Sequence, residues 1–80
     1  MRLNGLKNIK SEINASAIEV YSNKRILIFD CKSIIDYSPE CMVIDLGGLR
    51  LKITGESLMV ESFVFEQTDI RGKIYGLEFV

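Results

Sequence analysis

The sequence predicts an all-β domain of mostly antiparallel short strands, arranged as a small sandwich, roll or barrel. Three observations carry this. Apolar and polar residues alternate at period two, most cleanly where Leu49, Leu51 and Ile53 interleave with Arg50, Lys52 and Thr54. Glycines punctuate these short runs, at Gly47-Gly48, Gly55, Gly72 and Gly76. Turn-forming residues recur about every 8–12 positions, the spacing of small all-β folds. With 80 residues, 48% apolar and 26% charged, the chain suits one globular domain and no second one. A domain of this size buries only about 60–65% of its unfolded surface, so modest stability is expected without association.

The elements follow in order. Leu3, Leu6, Ile9 and Ile13 recur at spacings of three and four, which predicts a short helix from Leu6 to Ile13. Residues 1–14 thus read as a helical or flexible arm before a β domain over 15–80. Ala17 to Tyr21 is the first strand. Ser22-Asn23-Lys24 is turn chemistry, with Asn suited to positive φ. Arg25 to Cys31 is the second strand, apolar on both faces and so expected either to be covered on two sides or to lie beneath the N-terminal helix. Ile34 to Tyr37 is the third, closed by Ser38-Pro39-Glu40. Cys41 to Leu46 is the fourth, and Gly47-Gly48 is a two-residue hairpin signal.

The strand from Leu49 to Thr54 then points Leu49, Leu51 and Ile53 inward. Gly55-Glu56-Ser57 reads as a turn. Leu58, Val60, Phe63 and Phe65 continue inward, with a parity change that predicts a bulge near Glu61-Ser62. Gln67-Thr68-Asp69 reads as the next turn. Ile70, Gly72 and Ile74 share one parity while Leu77 and Phe79 take the other, which predicts a register change at Tyr75-Gly76. A weak self-similarity links Leu51-Lys52-Ile53-Thr54-Gly55 with Asp69-Ile70-Arg71-Gly72, too short to predict a repeat.

Composition narrows the function classes. No apolar run approaches the ~18–20 residues of a membrane span, and the N-terminus lacks the apolar stretch of a secretory signal. The expectation is a cytoplasmic protein. Residues 1–25 carry five bases against two acids (+3), and residues 26–80 carry five against nine (−4). An acidic chain without a basic stripe is a poor nucleic-acid binder. The basic start suits a solvated arm, or an anionic surface.

No histidine is present, so the usual general base is missing. Cys31 and Cys41 match no zinc spacing and read as reduced core residues. Glu61, Glu66 and Asp69 gather near one turn without a ligand spacing, and solvated carboxylates are far commoner than metal sites. Gly47-Gly48 lacks the helix and Lys-Ser/Thr of a phosphate loop. No catalytic, cofactor or metal residue is therefore expected, nor a small-molecule substrate. Of the seven aromatic residues, Phe29, Phe65 and Phe79 read as core. Phe63 and Tyr75, the latter flanked by Arg71 and Lys73, are the candidate interaction residues.

Several segments agree with one family at fixed offsets. They are Ala17-Ile18-Glu19-Val20, Lys32-Ser33-Ile34-Ile35-Asp36-Tyr37-Ser38, Leu51-Lys52-Ile53-Thr54-Gly55-Glu56-Ser57-Leu58 and Gly72-Lys73-Ile74-Tyr75-Gly76-Leu77-Glu78-Phe79. Together they resemble the YabP/YqfC family of bacterial sporulation proteins, nearer the YqfC side, over about four-fifths of the chain. Ser33 stands where the family commonly has Gly, and Gly76 replaces a small polar residue. The resemblance implies a small non-enzymatic protein of endospore formation, working through a membrane-bound sporulation protein. A homo-oligomer is a natural corollary for so small a core. The alternative reading is a nucleic-acid-binding small β-barrel.

Overall fold

A computed structural model describes residues 17–80. The helix expected from Leu6 to Ile13 lies outside the described residues. Six strands follow: β1 (Ala17–Tyr21), β2 (Arg25–Phe29), β3 (Ser33–Tyr37), β4 (Cys41–Asp45), β5 (Arg50–Val64) and β6 (Gln67–Phe79). They form one antiparallel sheet in the order β1-β2-β6-β5-β4-β3. The all-β expectation holds, but the last two strands are long, fifteen and thirteen residues.

That length organises the fold. The first half of β5 pairs with β4, Met42 opposite Ile53 and Ile44 opposite Leu51. The first half of β6 pairs with β2, Ile26 opposite Ile70 and Ile28 opposite Thr68. β2 and β4 thus attach to opposite edges and opposite ends of the β5–β6 ribbon. A flat sheet would leave one face wet, yet Ile26, Ile28, Met42, Ile44, Leu51, Ile53 and Ile70 are all fully buried in one core. The ribbon therefore bends at its middle and the sheet rolls over itself. It does not close into a barrel, since β1 and β3 remain its two edges.

The bend is built on two glycines. Gly55 N–H donates to the Glu40 carbonyl and Gly72 N–H to the Lys24 carbonyl, 3.0 and 3.2 Å. A Cβ on Gly55 would lie 2.1 Å from the Lys73 carbonyl oxygen, and one on Gly72 2.7 Å from that of Ser57. Only glycine lets the backbones approach this closely. Gly55-Glu56-Ser57 is thus a bulged bend inside β5, not the turn expected there, because β6 continues to pair on either side of it.

The short self-similarity acquires a structural meaning at this bend. Leu51-Lys52-Ile53-Thr54-Gly55-Glu56 runs beside β4 as Thr68-Asp69-Ile70-Arg71-Gly72-Lys73 runs beside β2. The partner hairpins also correspond, with Ile18, Tyr21, Ser22 and Ile28 matched by Ile34, Tyr37, Ser38 and Ile44. The roll is an approximate two-fold of connectivity, and the two halves exchange the far ends of β5 and β6.

Other expectations are sharpened or corrected. The bulges near Glu61 and at Tyr75 are present as register shifts. The turn expected at Gln67-Thr68-Asp69 lies instead at Phe65-Glu66, and Thr68 and Asp69 are buried in β6. Phe65 and Phe79, expected in the core, are 96% and 59% exposed. Leu49 is exposed as well, because it sits in the β4–β5 loop before β5 begins. In that loop Gly47 alone takes positive φ, and in the β1–β2 turn Ser22 does so rather than Asn23. The outer face of β2, Leu27 and Phe29, is half-buried rather than covered. Cys31 is buried as expected, and Cys41 half-buried, both as free thiols.

The Phe65-Glu66 turn is unusual chemistry. Both residues have positive φ, 53° and 62°, the conformation that two-residue hairpins normally assign to Asn-Gly. The turn is held from outside, since Cys31 N–H donates to the Glu66 carbonyl at 3.1 Å. Replacing Phe65-Glu66 by Asn-Gly is expected to stabilise the domain by about 1–2 kcal/mol, because left-handed backbone is strained for ordinary side chains. A melting temperature no higher than that of the original chain would refute this strain.

Candidate interaction surface

On the outer face of the β1-β2-β6 half, alternate residues converge. β2 places Arg25 directly opposite Arg71 of β6, and Leu27 opposite Asp69. Two like charges opposite each other repel. Asp69 offsets that repulsion by accepting from both. Arg25 Nε and Nη2 lie 3.2 Å from its carboxylate oxygens, and Arg71 Nε and Nη2 lie 3.4 and 3.3 Å away. The hydrogen bond from Arg25 chiefly holds the Asp69 carboxyl below the usual carboxylate range, with that from Arg71 adding to it against the opposing effect of burial.

Aromatic rings flank this cluster. The Arg25 guanidinium sits 5.3 Å from the Tyr21 ring centroid, and the Lys73 ammonium 6.0 Å from that of Tyr75. Tyr21 donates its hydroxyl proton to Glu19 and Tyr75 donates to Glu56. Each of these hydrogen bonds is the main reason its phenol is raised above the ordinary tyrosine value. The rings are thereby oriented while remaining exposed. Arg71, Lys73 and Tyr75 alternate along β6 on this face, and Met59 lies opposite Arg71 from β5.

The four sequence candidates are only partly gathered. Arg71, Lys73 and Tyr75 share the outer face. Phe63 does not join them, because it pairs with the buried Thr68 and so belongs to the other face, at the rim of the core, 42% exposed. The β5 bulge sets that parity. Sequence reasoning missed Arg25, Asp69 and Tyr21. Tyr21 pairs with Arg25 in the β1–β2 hairpin, while Arg25 and Asp69 lie far apart in the chain and meet only through the β2–β6 register. The carboxylates Glu61, Glu66 and Asp69 form no common site, and among the described residues no group of three His, Cys, Asp or Glu is placed to hold a metal. Asp69 is instead committed to the two arginines.

The surface offers a cationic, aromatic platform, fixed from below by a carboxylate, with guanidinium and ammonium groups still facing solvent. It suits carboxylate-bearing and aromatic partners. No helix among the described residues is long and apolar enough to cross a membrane. No family model matches the chain, and no curated protein or solved structure is significantly similar to it.

Proposed function

We propose that this chain is a non-enzymatic sporulation protein of the YabP/YqfC type, a small interaction module at work during endospore formation. On this reading it resides in the cytoplasm and reaches the membrane through a membrane-bound sporulation partner. The observation that carries the reading is the physical role of the residues that make the resemblance. Gly55 and Gly72, the glycines of two of its segments, are the close-approach points of the ribbon. Ile53, Leu58 and Ile74 from the same segments lie in the core. A motif made of bend glycines and core positions specifies a shape, which fits a family defined by a scaffold rather than by a reaction. Tyr75 and Lys73, from the closing segment, supply the face through which the scaffold binds.

The test is a crosslinked pull-down of the tagged chain from sporulating cells, with membrane and soluble fractions separated. One membrane protein should be enriched from the native chain and lost with Lys73→Glu or Tyr75→Ala, both at exposed positions. Salt-sensitive recovery of nucleic acid instead would favour the small-barrel alternative. Equal expression in growing and sporulating cells would refute the sporulation role.

A further inference from the structure

The hairpin geometry explains the positive φ at Phe65-Glu66, but nothing within the fold explains these two residues there. The tip carries strained backbone at two consecutive residues and a phenyl ring 96% exposed. Strain and an exposed aromatic residue oppose stability, and an Asn-Gly turn would remove both. Features that a fold tolerates at its own expense are commonly kept for binding. The bond from Cys31 N–H, and the Cys31 thiol 3.4 Å from the same Glu66 carbonyl, hold the tip rigidly in this form. Val64 next to it is also exposed, and Glu66 gives the tip an acidic group.

The complementary chemistry lies on the same chain. Lys73 lies seven positions after Glu66, roughly 23 Å of strand at 3.3 Å per residue. The molecule is elongated, 39 × 23 × 23 Å. Toward one end is the acidic aromatic tip, and toward the bend is the platform of Arg25, Arg71 and Lys73 with Tyr75 and Met59. Asp69, Glu56 and Glu19 are acids on that face, and each is already engaged, Asp69 by the arginines, Glu56 by Tyr75 and Glu19 by Tyr21. We propose that the Phe65-Glu66 tip of one copy docks on the Arg71-Lys73-Tyr75 face of the next, forming a head-to-tail assembly of this chain.

In this contact the phenyl ring lies against the cations and the Met59 thioether, and Glu66 meets Arg71 and Lys73. Tip and platform are different patches, so the contact is heterologous and adds copies without closing unless a ring forms. A hairpin tip covers less than the ~1,200 Å² of a stable interface, so the assembly is weak and dynamic. The proposal rests on the module reading for the role of the platform, and it specifies a second copy as an occupant.

The test is sedimentation velocity of the full chain from about 10 μM to about 1 mM, the range in which so small an interface associates. The sedimentation coefficient should rise with concentration. It should fall back to the monomer value at about 1 M salt, where screening acts within about 3 Å. Phe65→Gly, which also relieves the positive φ, should weaken association at least tenfold. Lys73→Glu should do the same, with Tyr75→Ala as a second platform variant should Lys73→Glu melt early. A mixture of Phe65→Gly with a platform variant retains one intact tip and one intact platform, and should form a capped dimer and nothing larger. Monomer at every concentration, unchanged assembly in Phe65→Gly, or two variants that fail to combine would each overturn the proposal. A monomeric chain that still captures its membrane partner in cells would overturn the tip contact alone and leave the module reading standing.

Discussion

Gly55→Ala is expected to be the most destabilising single methyl that can be added to this protein. The added methyl would meet the Lys73 carbonyl oxygen at 2.1 Å and the Leu58 side chain at 3.0 Å. Neither can retreat easily, because Lys73 pairs with Glu56 within the same ribbon and Leu58 is core. Relief requires the two strands to part at the bend, which breaks the contact between both halves of the roll. The loss should be at least about 3 kcal/mol, at the upper end of overpacking effects. A domain of this length has only about 4–12 kcal/mol in total. At about 4–8 °C per kcal/mol, the melting temperature should fall by 12 °C or more. Gly72→Ala should behave similarly, since its φ of 144° and the Ser57 carbonyl at 2.7 Å both oppose a side chain. Gly48→Ala is the control: nothing lies within 4 Å of its Cβ, and the change should stay within about 0.5 kcal/mol. A Gly55→Ala protein melting within a few degrees of the original would show that the bend tolerates a side chain.

Asp69→Ala should be the next most damaging change. It removes hydrogen bonds to both arginines and leaves Arg25 facing Arg71 with no anion between them. The arginines are partly solvated, so the loss should be about 1–2 kcal/mol rather than that of a fully buried pair. The same carboxylate sets an acid limit. Its folded pKa lies below the unfolded value, so the folded state binds fewer protons there than the unfolded chain. The resulting stability is fully present above the unfolded value near pH 4 and is lost as the pH falls through the lower folded value. Melting temperatures from pH 6 to pH 2 should fall less steeply in Asp69→Asn than in the native chain. Parallel curves would assign acid sensitivity to other carboxylates.

The fold class was legible because strand alternation and turn chemistry are local. Leu51 and Ile53 take the inward positions that period two assigns them, and Ile26 and Ile28 share one face as their parity requires. The bulges near Glu61 and at Tyr75 were legible from parity alone. Two things were not. Glycine at position 55 signals a turn or a close approach equally well, and only the pairing of β6 beyond it decides. The β5–β6 turn carries no Gly, Asn or Pro, so nothing in Phe65-Glu66 advertises it, whereas Gln67-Thr68-Asp69 offers a polar segment that folds into β6. The interaction face was half legible. Arg71, Lys73 and Tyr75 alternate in sequence, but Arg25 and Asp69 meet across the β2–β6 register, and Phe63 is separated from them by a bulge.

The sharing of β5 and β6 between both halves also dictates the order of assembly. Every strand pairing but one joins neighbours in sequence, and such contacts close small loops quickly. The exception is β2 with β6, where Ile26 meets Ile70 across 44 positions. The β3–β4–β5–β6 meander can zip up by itself, while the β1–β2 hairpin must wait for β6 and then close the longest loop in the chain. Topology therefore predicts that this docking is the slow step of folding, so that Ile26→Val should slow refolding in a stopped-flow measurement. The arginine–aspartate cluster spans this joint, so the platform exists only once the last piece is in place.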